Sequence, residues 1–182
     1  MCQGICCEIG RHGDEIKVWF GDPTETGIEL DSHAAIRKFH GLPEISRTGW
    51  RRTPLEHYFH DTPESAEKME RHFDEGRPEW WDGDCDAAVN AALDVELHRR
   101  SAMPAFPGYP KFIGKNVVIP WTACGGSIDA SAATSLSLPK LETCSGSIDA
   151  RAATSLSLPN LKSSGYIYAS AATEYDCPIK RK

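Results

Sequence analysis

One segment of this chain is written almost twice. Gly-Ser-Ile-Asp-Ala at 126–130 returns at 146–150, and Ala-Ala-Thr-Ser-Leu-Ser-Leu-Pro at 132–139 returns at 152–159. Self-similarity at a fixed period of this length means one supersecondary unit stacked on a copy of itself, because so short a unit cannot bury an apolar face alone. Each unit contains two alternating segments whose apolar side chains point one way. Stacking them produces columns: Val117, Leu136 and Leu156; Ile119, Leu138 and Leu158; Trp121, Leu141 and Leu161. The opposite wall carries Ile128, Ile148 and Ile167, then Ala130, Ala150 and Ala169, with Ala133, Ala153 and Ala172 in the corner. Asp129, Asp149 and Tyr168 alternate outward. Pro139 and Pro159 end the Leu segment, and Gly126, Gly146 and Gly165 are expected to permit a tight corner before the Ile segment. The pattern predicts a three-coil β-solenoid of about 20 residues per coil with a C-terminal cap over 112–182, reached through a Pro-rich linker at 104–111.

The run Leu-x-Leu-Pro-x-Leu-x-x-Cys-x-Gly-x-Ile-x-Ala resembles a short leucine-rich repeat of the receptor-L-domain style, over roughly 116–174. The resemblance implies architecture. It departs from that style in its ladder position, which is filled by Cys124, Cys144 and then Ser163 or Ser164. An open coil end is an unpaired strand edge, so residues 175–182 are expected to cover or charge the last coil.

Residues 1–103 contain no repeat and read as a small α+β module, giving an α+β fold class overall. Glu15 to Phe20 alternates like a strand. Asp31 and Ser32 cap a helix through His40, with Ile36 and Phe39 inward and Gly41 ending it. Leu55, His57 and Phe59 line one face of a second strand. Thr62 and Pro63 then open a predicted helix whose Ala66, Met69 and Phe73 make a buried stripe, closing at Gly76. A longer helix runs from Asp84 to about His98, buried along Val89, Leu93 and Leu97. Short motifs here, Trp19-Phe20-Gly21-Asp22-Pro23, Ser32-His33-Ala34-Ala35-Ile36 and Pro78-Glu79-Trp80-Trp81-Asp82, resemble uncharacterised proteins of bacteriophages and prophages. That resemblance implies an accessory protein acting on host machinery.

Seven cysteines, at 2, 6, 7, 85, 124, 144 and 177, are odd in number and scattered. They do not read as a disulfide framework, and a reducing cytoplasm is the expected setting. No apolar run approaches the roughly 18 residues of a membrane span, and residues 1–8 lack the basic segment and long apolar core of a secretory leader. The net charge of −6 is concentrated, since residues 61–96 hold twelve acids against Lys68, Arg71 and Arg77. Such a balance disfavours direct nucleic-acid binding, which rests on Lys and Arg neutralising phosphate.

Several chemical constellations compete with bland readings. Cys2 invites comparison with N-terminal-nucleophile amidotransferases, but Gln3 intervenes where their pattern has glycine. Cys2, Cys6, Cys7 and His12 have part of a zinc spacing, and His33, His40, His57, His60 or His72 would have to complete it through the fold. Asp82, Asp84 and Asp86 begin like a calcium loop, but Ala87 and Leu93 stand where such a loop needs Gly and Glu. Acids at a helix start are in any case expected from the macrodipole. His57 and His60 near cysteines suggest a nucleophile–base pair, yet no phosphate loop, nucleophile elbow or paired-carboxylate motif accompanies them. Trp80 and Trp81 either anchor the core or form an interface.

The expectation is a non-catalytic protein-interaction module with no cofactor, no catalytic residue and no metal ligand. Its partner-binding residues are Glu64, Glu67, Glu70, Asp74, Glu75, Trp80, Trp81 and Asp82. The partner would be a protein, and a nucleic-acid-binding host protein fits the acidity, as for a phage inhibitor of host defence of the anti-CRISPR kind. A small enzyme or a zinc protein built on the N-terminal Cys and His residues is the alternative. Unpaired coil ends leave both a homodimer and a monomer open.

Overall fold

A computed structural model describes residues 4–22, 30–42 and 49–179. An N-terminal α+β region is followed by a three-turn β-solenoid, as the repeats predict. Among the described residues no helix is long and apolar enough to cross a membrane.

The N-terminal sheet is antiparallel. Its strands β1 (Ile5–His12), β2 (Glu15–Trp19), β3 (Arg51–Phe59) and β4 (Met69–Phe73) lie in the order β2-β1-β3-β4. Ile9, Cys7 and Leu55 point to one face, where they meet Cys85, Val89 and Trp81 of helix α2 (Gly83–Ser101) and the turn before it. Cys6 and Glu8 alternate to the other face, under the short helix α1 (His33–Phe39). Asp82 caps α2, its side chain accepting from the Asp84 and Cys85 N–H groups at 3.2 Å each. It also pairs with Arg11 of β1. Asp82 at this helix start therefore serves capping. We expect Asp82→Ala to lower stability by about 0.5–2 kcal/mol, read as a fall in thermal midpoint with the fold retained.

Three expectations need correction. The predicted helix over 62–76 is a single 3-10 turn (Ala66–Lys68) running into β4. Met69, Arg71 and Phe73 fit a strand period as well as a helical one, and pairing with β3, from Phe59↔Met69 to Leu55↔Phe73, decides it. Strand β1, which occupies the centre of the sheet, is missing from the expected order of elements. Phe39 is exposed, whereas Ile36 is buried as expected.

Each solenoid turn contributes to three parallel faces. One holds β5 (Asn116–Val118), β8 (Ser135–Ser137), β11 (Ser155–Ser157) and β13 (Glu174–Asp176). A second pairs β6 (Ala123–Cys124) with β9 (Thr143–Cys144), and the third holds β7 (Ile128–Asp129), β10 (Ile148–Asp149) and β12 (Ile167–Tyr168). Register partners stand 19 or 20 residues apart: Val117 to Leu136, Leu136 to Leu156, Ile128 to Ile148, Ile148 to Ile167. The expected Leu, Ile and Ala columns are all buried. A bridge between Thr143 and Ser163 sets Ser164 beside Cys144, which resolves the ladder position of the third coil. The glycines at the corner owe their place to coil-on-coil approach. A Cβ on Gly146 would stand 2.3 Å from Ser127 Oγ, and one on Gly126 would stand 2.0 Å from the Gly108 carbonyl.

The two regions share one core. Residues 104–111 bridge to the first turn, Phe106 to Cys124 and Lys111 to Asp129, while Phe112 pairs in parallel with Phe59 at the end of β3. Phe106 stacks on Trp121 at 3.7 Å and Phe112 on Phe59 at 5.0 Å, closing the first turn with aromatic rings. Ile5, Phe59, Leu93 and Leu97 belong to the same buried cluster as the solenoid columns. The N-terminal sheet and α2 thus cover the first end of the stack, as a repeat array requires. The other end is covered locally by Tyr175, whose hydroxyl donates to the Ile179 carbonyl.

Candidate functional sites

The acidic residues singled out above are on the outside but do not form one helical face. Glu64 pairs with Lys68, and both precede β4. Glu67 is exposed on the 3-10 turn, Glu70 on β4, and Asp74 and Glu75 in the turn that follows. Much of the acidity of 61–96 is matched within the molecule. Asp86 receives Arg71 and Arg77, Asp94 accepts from the Ala66 N–H at 2.7 Å, and Glu96 receives Arg99 and Arg100. The two tryptophans divide as a core residue and a rim residue. Trp81 is buried edge-on to Phe73 at 4.8 Å and donates from its indole to Asp86, whereas Trp80 is partly exposed beneath Arg51.

A second group of side chains gathers between α1 and the sheet. Asp31 accepts from the Cys6 N–H at 3.1 Å and from both terminal nitrogens of Arg100, at 2.8 and 3.0 Å. Gly108, with φ of +84°, closes over that pair, and a Cβ there would lie 2.2 Å from Asp31 Oδ2. Beside it, the Cys6 thiol, a ring nitrogen of His33 and a carboxylate oxygen of Glu56 lie within 4.8 Å of one another. Glu56 forms a second such triplet with His72 and Asp74. His33 has Nδ1 3.4 Å from Glu8 and Nε2 3.6 Å from Asp74 Oδ2, and the other Asp74 oxygen lies 3.5 Å from His72 Nδ1. The Tyr58 hydroxyl donates to Glu56 Oε2, and its ring stacks on His72 at 5.8 Å. The inner members, Cys6, His33 and Glu56, are buried; His72 and Asp74 open to solvent.

Sequence reasoning did not find this group, because its members come from β1, α1, β3, β4 and a turn. The available signal was the strand period. Glu70, His72 and Asp74 recur every second residue, and pairing sets Glu56 opposite His72.

The other sequence candidates are kept apart. Cys6 and Cys7 project to opposite faces of β1, and His12 lies at its exposed end against Trp50. Cys2 lies outside the described residues. Burial pushes the Cys7 thiol well up. His57 is buried, near the Ile5 carbonyl through Nδ1 and accepting from Arg71 at Nε2. Burial first, then the Arg71 charge, lowers its pKa to about 3. His60 is exposed at the end of β3, so the two histidines make no pair.

No family model matches the chain, and neither a curated protein nor a solved structure matches it.

Proposed function

We propose that this protein is a non-catalytic protein-binding module that engages its partner through the last turn of the solenoid. One observation carries the reading. Where the first two turns place Ser127 and Ser147, then Asp129 and Asp149, the third places Tyr166 and Tyr168. Those rings are 52% and 47% exposed and 6.0 Å apart. Tyr168 lies on β12, the outermost strand of its sheet, and Tyr166 immediately before it. An outermost strand suits pairing with a partner strand, while the two tyrosines supply apolar area with a polar tip. The non-catalytic part is supported by His57, held neutral and buried, and by Cys7, held as a thiol. Cys6, Cys7, Cys85, Cys124, Cys144 and Cys177 form no disulfide, which favours a reducing, cytoplasmic setting. The inward Leu columns favour the receptor-L style of leucine-rich repeat as the type of coil.

Capture from a bacterial lysate, followed by titration of the identified partner, tests this. Tyrosine hot spots are worth about 2 kcal/mol each, so Tyr166→Ala with Tyr168→Ala should weaken binding tenfold or more. Unchanged affinity in a folded double variant sinks the reading. Sedimentation of the free protein separates it from a homodimer formed through the same edge.

A second reading rests on the five exposed acids Glu64, Glu67, Glu70, Asp74 and Glu75. A phage-encoded inhibitor of a host nucleic-acid-binding protein would use them in place of phosphate, and its capture would fall with salt. Charge reversal at Glu64, Glu67 and Glu70 should then abolish capture. Retention of the partner at high salt and after reversal would eliminate it.

A further inference from the structure

We propose that Cys6, His33, Glu56, His72 and Asp74 form a binding site for a divalent transition metal of the zinc class. The donor set is the first argument. A thiol, two imidazoles and two carboxylates suit zinc or its analogue cobalt, whereas magnesium and calcium take oxygen alone. The spacing is the second. Ligand atoms around a tetrahedral zinc stand about 3.3–3.8 Å apart, as bonds of about 2.0–2.3 Å require. Within each triplet the donor atoms lie within 4.8 Å of one another, and the two triplets share Glu56. The 3.6 Å approach of His33 Nε2 to Asp74 also joins them, so small side-chain rotations bring four of the five donors to a tetrahedral ion.

The surroundings are the third argument, because a metal site needs oriented ligands as well as near ones. Glu8 stands behind His33 at 3.4 Å from Nδ1, while Nε2 faces Asp74 on the side of the cluster. A carboxylate behind a ligating imidazole fixes its tautomer and raises its basicity. Glu8 is itself fully buried, held by the Arg37 guanidinium at 2.8 Å, with neither oxygen in a well-aligned hydrogen bond. Tyr58 orients Glu56 in the same way, through its hydroxyl. Asp31 fixes the β1 backbone at Cys6 by accepting from its N–H. The inner ligands are held by the sheet and the base of α1, and the exposed His72 and Asp74 form the entry.

Cobalt titration of the reduced, full-length protein tests the site, followed by absorption and by displacement with zinc. The expected result is stoichiometric binding with a thiolate-to-cobalt charge-transfer band and release of protons, since the thiol must ionise. Cys6→Ser should remove the charge-transfer band. His72→Gln and Asp74→Asn, both on the exposed side, should each weaken affinity about tenfold or more without lowering the thermal midpoint of the metal-free protein. Failure of the wild type to bind cobalt overturns the proposal. So does a sulfur band that survives Cys6→Ser, which would place the metal on other cysteines, or an affinity that the His72 and Asp74 variants leave unchanged. Partner capture by the solenoid is independent of each of these outcomes.

Discussion

Replacing Leu138 by Asp is expected to unfold the solenoid. Leu138 is fully buried between Ile119 above and Leu158 below, and its own N–H donates to Ser157 of the next turn. A carboxylate placed there has apolar neighbours on every side and no cation in the column. Burying an unpaired charge costs several kcal/mol, a large part of the 5–15 kcal/mol that holds a typical domain folded. Ile148→Asp meets the same fate on the opposite wall, where Ile128 and Ile167 flank it in register. Leu138→Ala gives the graded comparison, a loss of about 2–5 kcal/mol from transfer and cavity terms. Because the same core continues through Phe106 and Trp121 to Phe59, the damage should also loosen the N-terminal sheet. Circular dichroism, tryptophan fluorescence and limited proteolysis read the outcome. Cooperative unfolding at the wild-type midpoint in both Asp variants would show that these columns are not the core.

The solenoid was legible because each turn solves the same problem with the same residues. A Leu two places after another Leu, or an Ala two places after an Ile, can only be buried together when the copies lie in register. The N-terminal region offers no second copy to check against. In β1 the run Ile5-Cys6-Cys7-Glu8-Ile9 is buried on both faces, so the alternation that marks a half-buried strand is absent. The segment 66–73 has the opposite ambiguity. Ala66, Met69 and Phe73 fit a helical stripe, while Met69, Arg71 and Phe73 fit a strand, and only the partner strand β3 separates them. Misplacing that one element hid the Cys, His and carboxylate cluster, since His72 and Asp74 approach Glu56 only when β4 is extended beside β3. Within 104–111, whose prolines mark a linker, Phe106 bridges to Cys124 of the first turn.

Arg100 joins α2 to Asp31, ahead of α1, through a buried ion pair. Its guanidinium is fully buried on α2, with Nε donating to Glu96 at 2.8 Å and both terminal nitrogens donating to Asp31. Replacement by Met keeps the volume and removes the cation, leaving Asp31 without its guanidinium and Glu96 with Arg99 alone. Breaking a buried pair in this way costs about 3–5 kcal/mol at neutral pH. Lys should rescue only part of the loss, because one ammonium cannot span Asp31 and Glu96 as the planar fork does. The pH dependence distinguishes charge from packing. Burial raises the Glu96 pKa, but the hydrogen bond from Arg99 and the charge of Arg100 outweigh it, so the folded value lies below the ordinary 4.5. A carboxylate depressed on folding contributes stability that is fully present above its unfolded pKa and is lost as pH falls through the folded one. The wild type should therefore lose stability on acidification below about pH 4.5. In Arg100→Met a cation that offsets burial at Glu96 is gone, so acid costs the variant less than the wild type. The gap between the two proteins, measured by denaturant unfolding from pH 7 downward, should be widest at neutral pH and narrow in acid. A gap that stays constant across that range would mean that Arg100 acts through its packing alone.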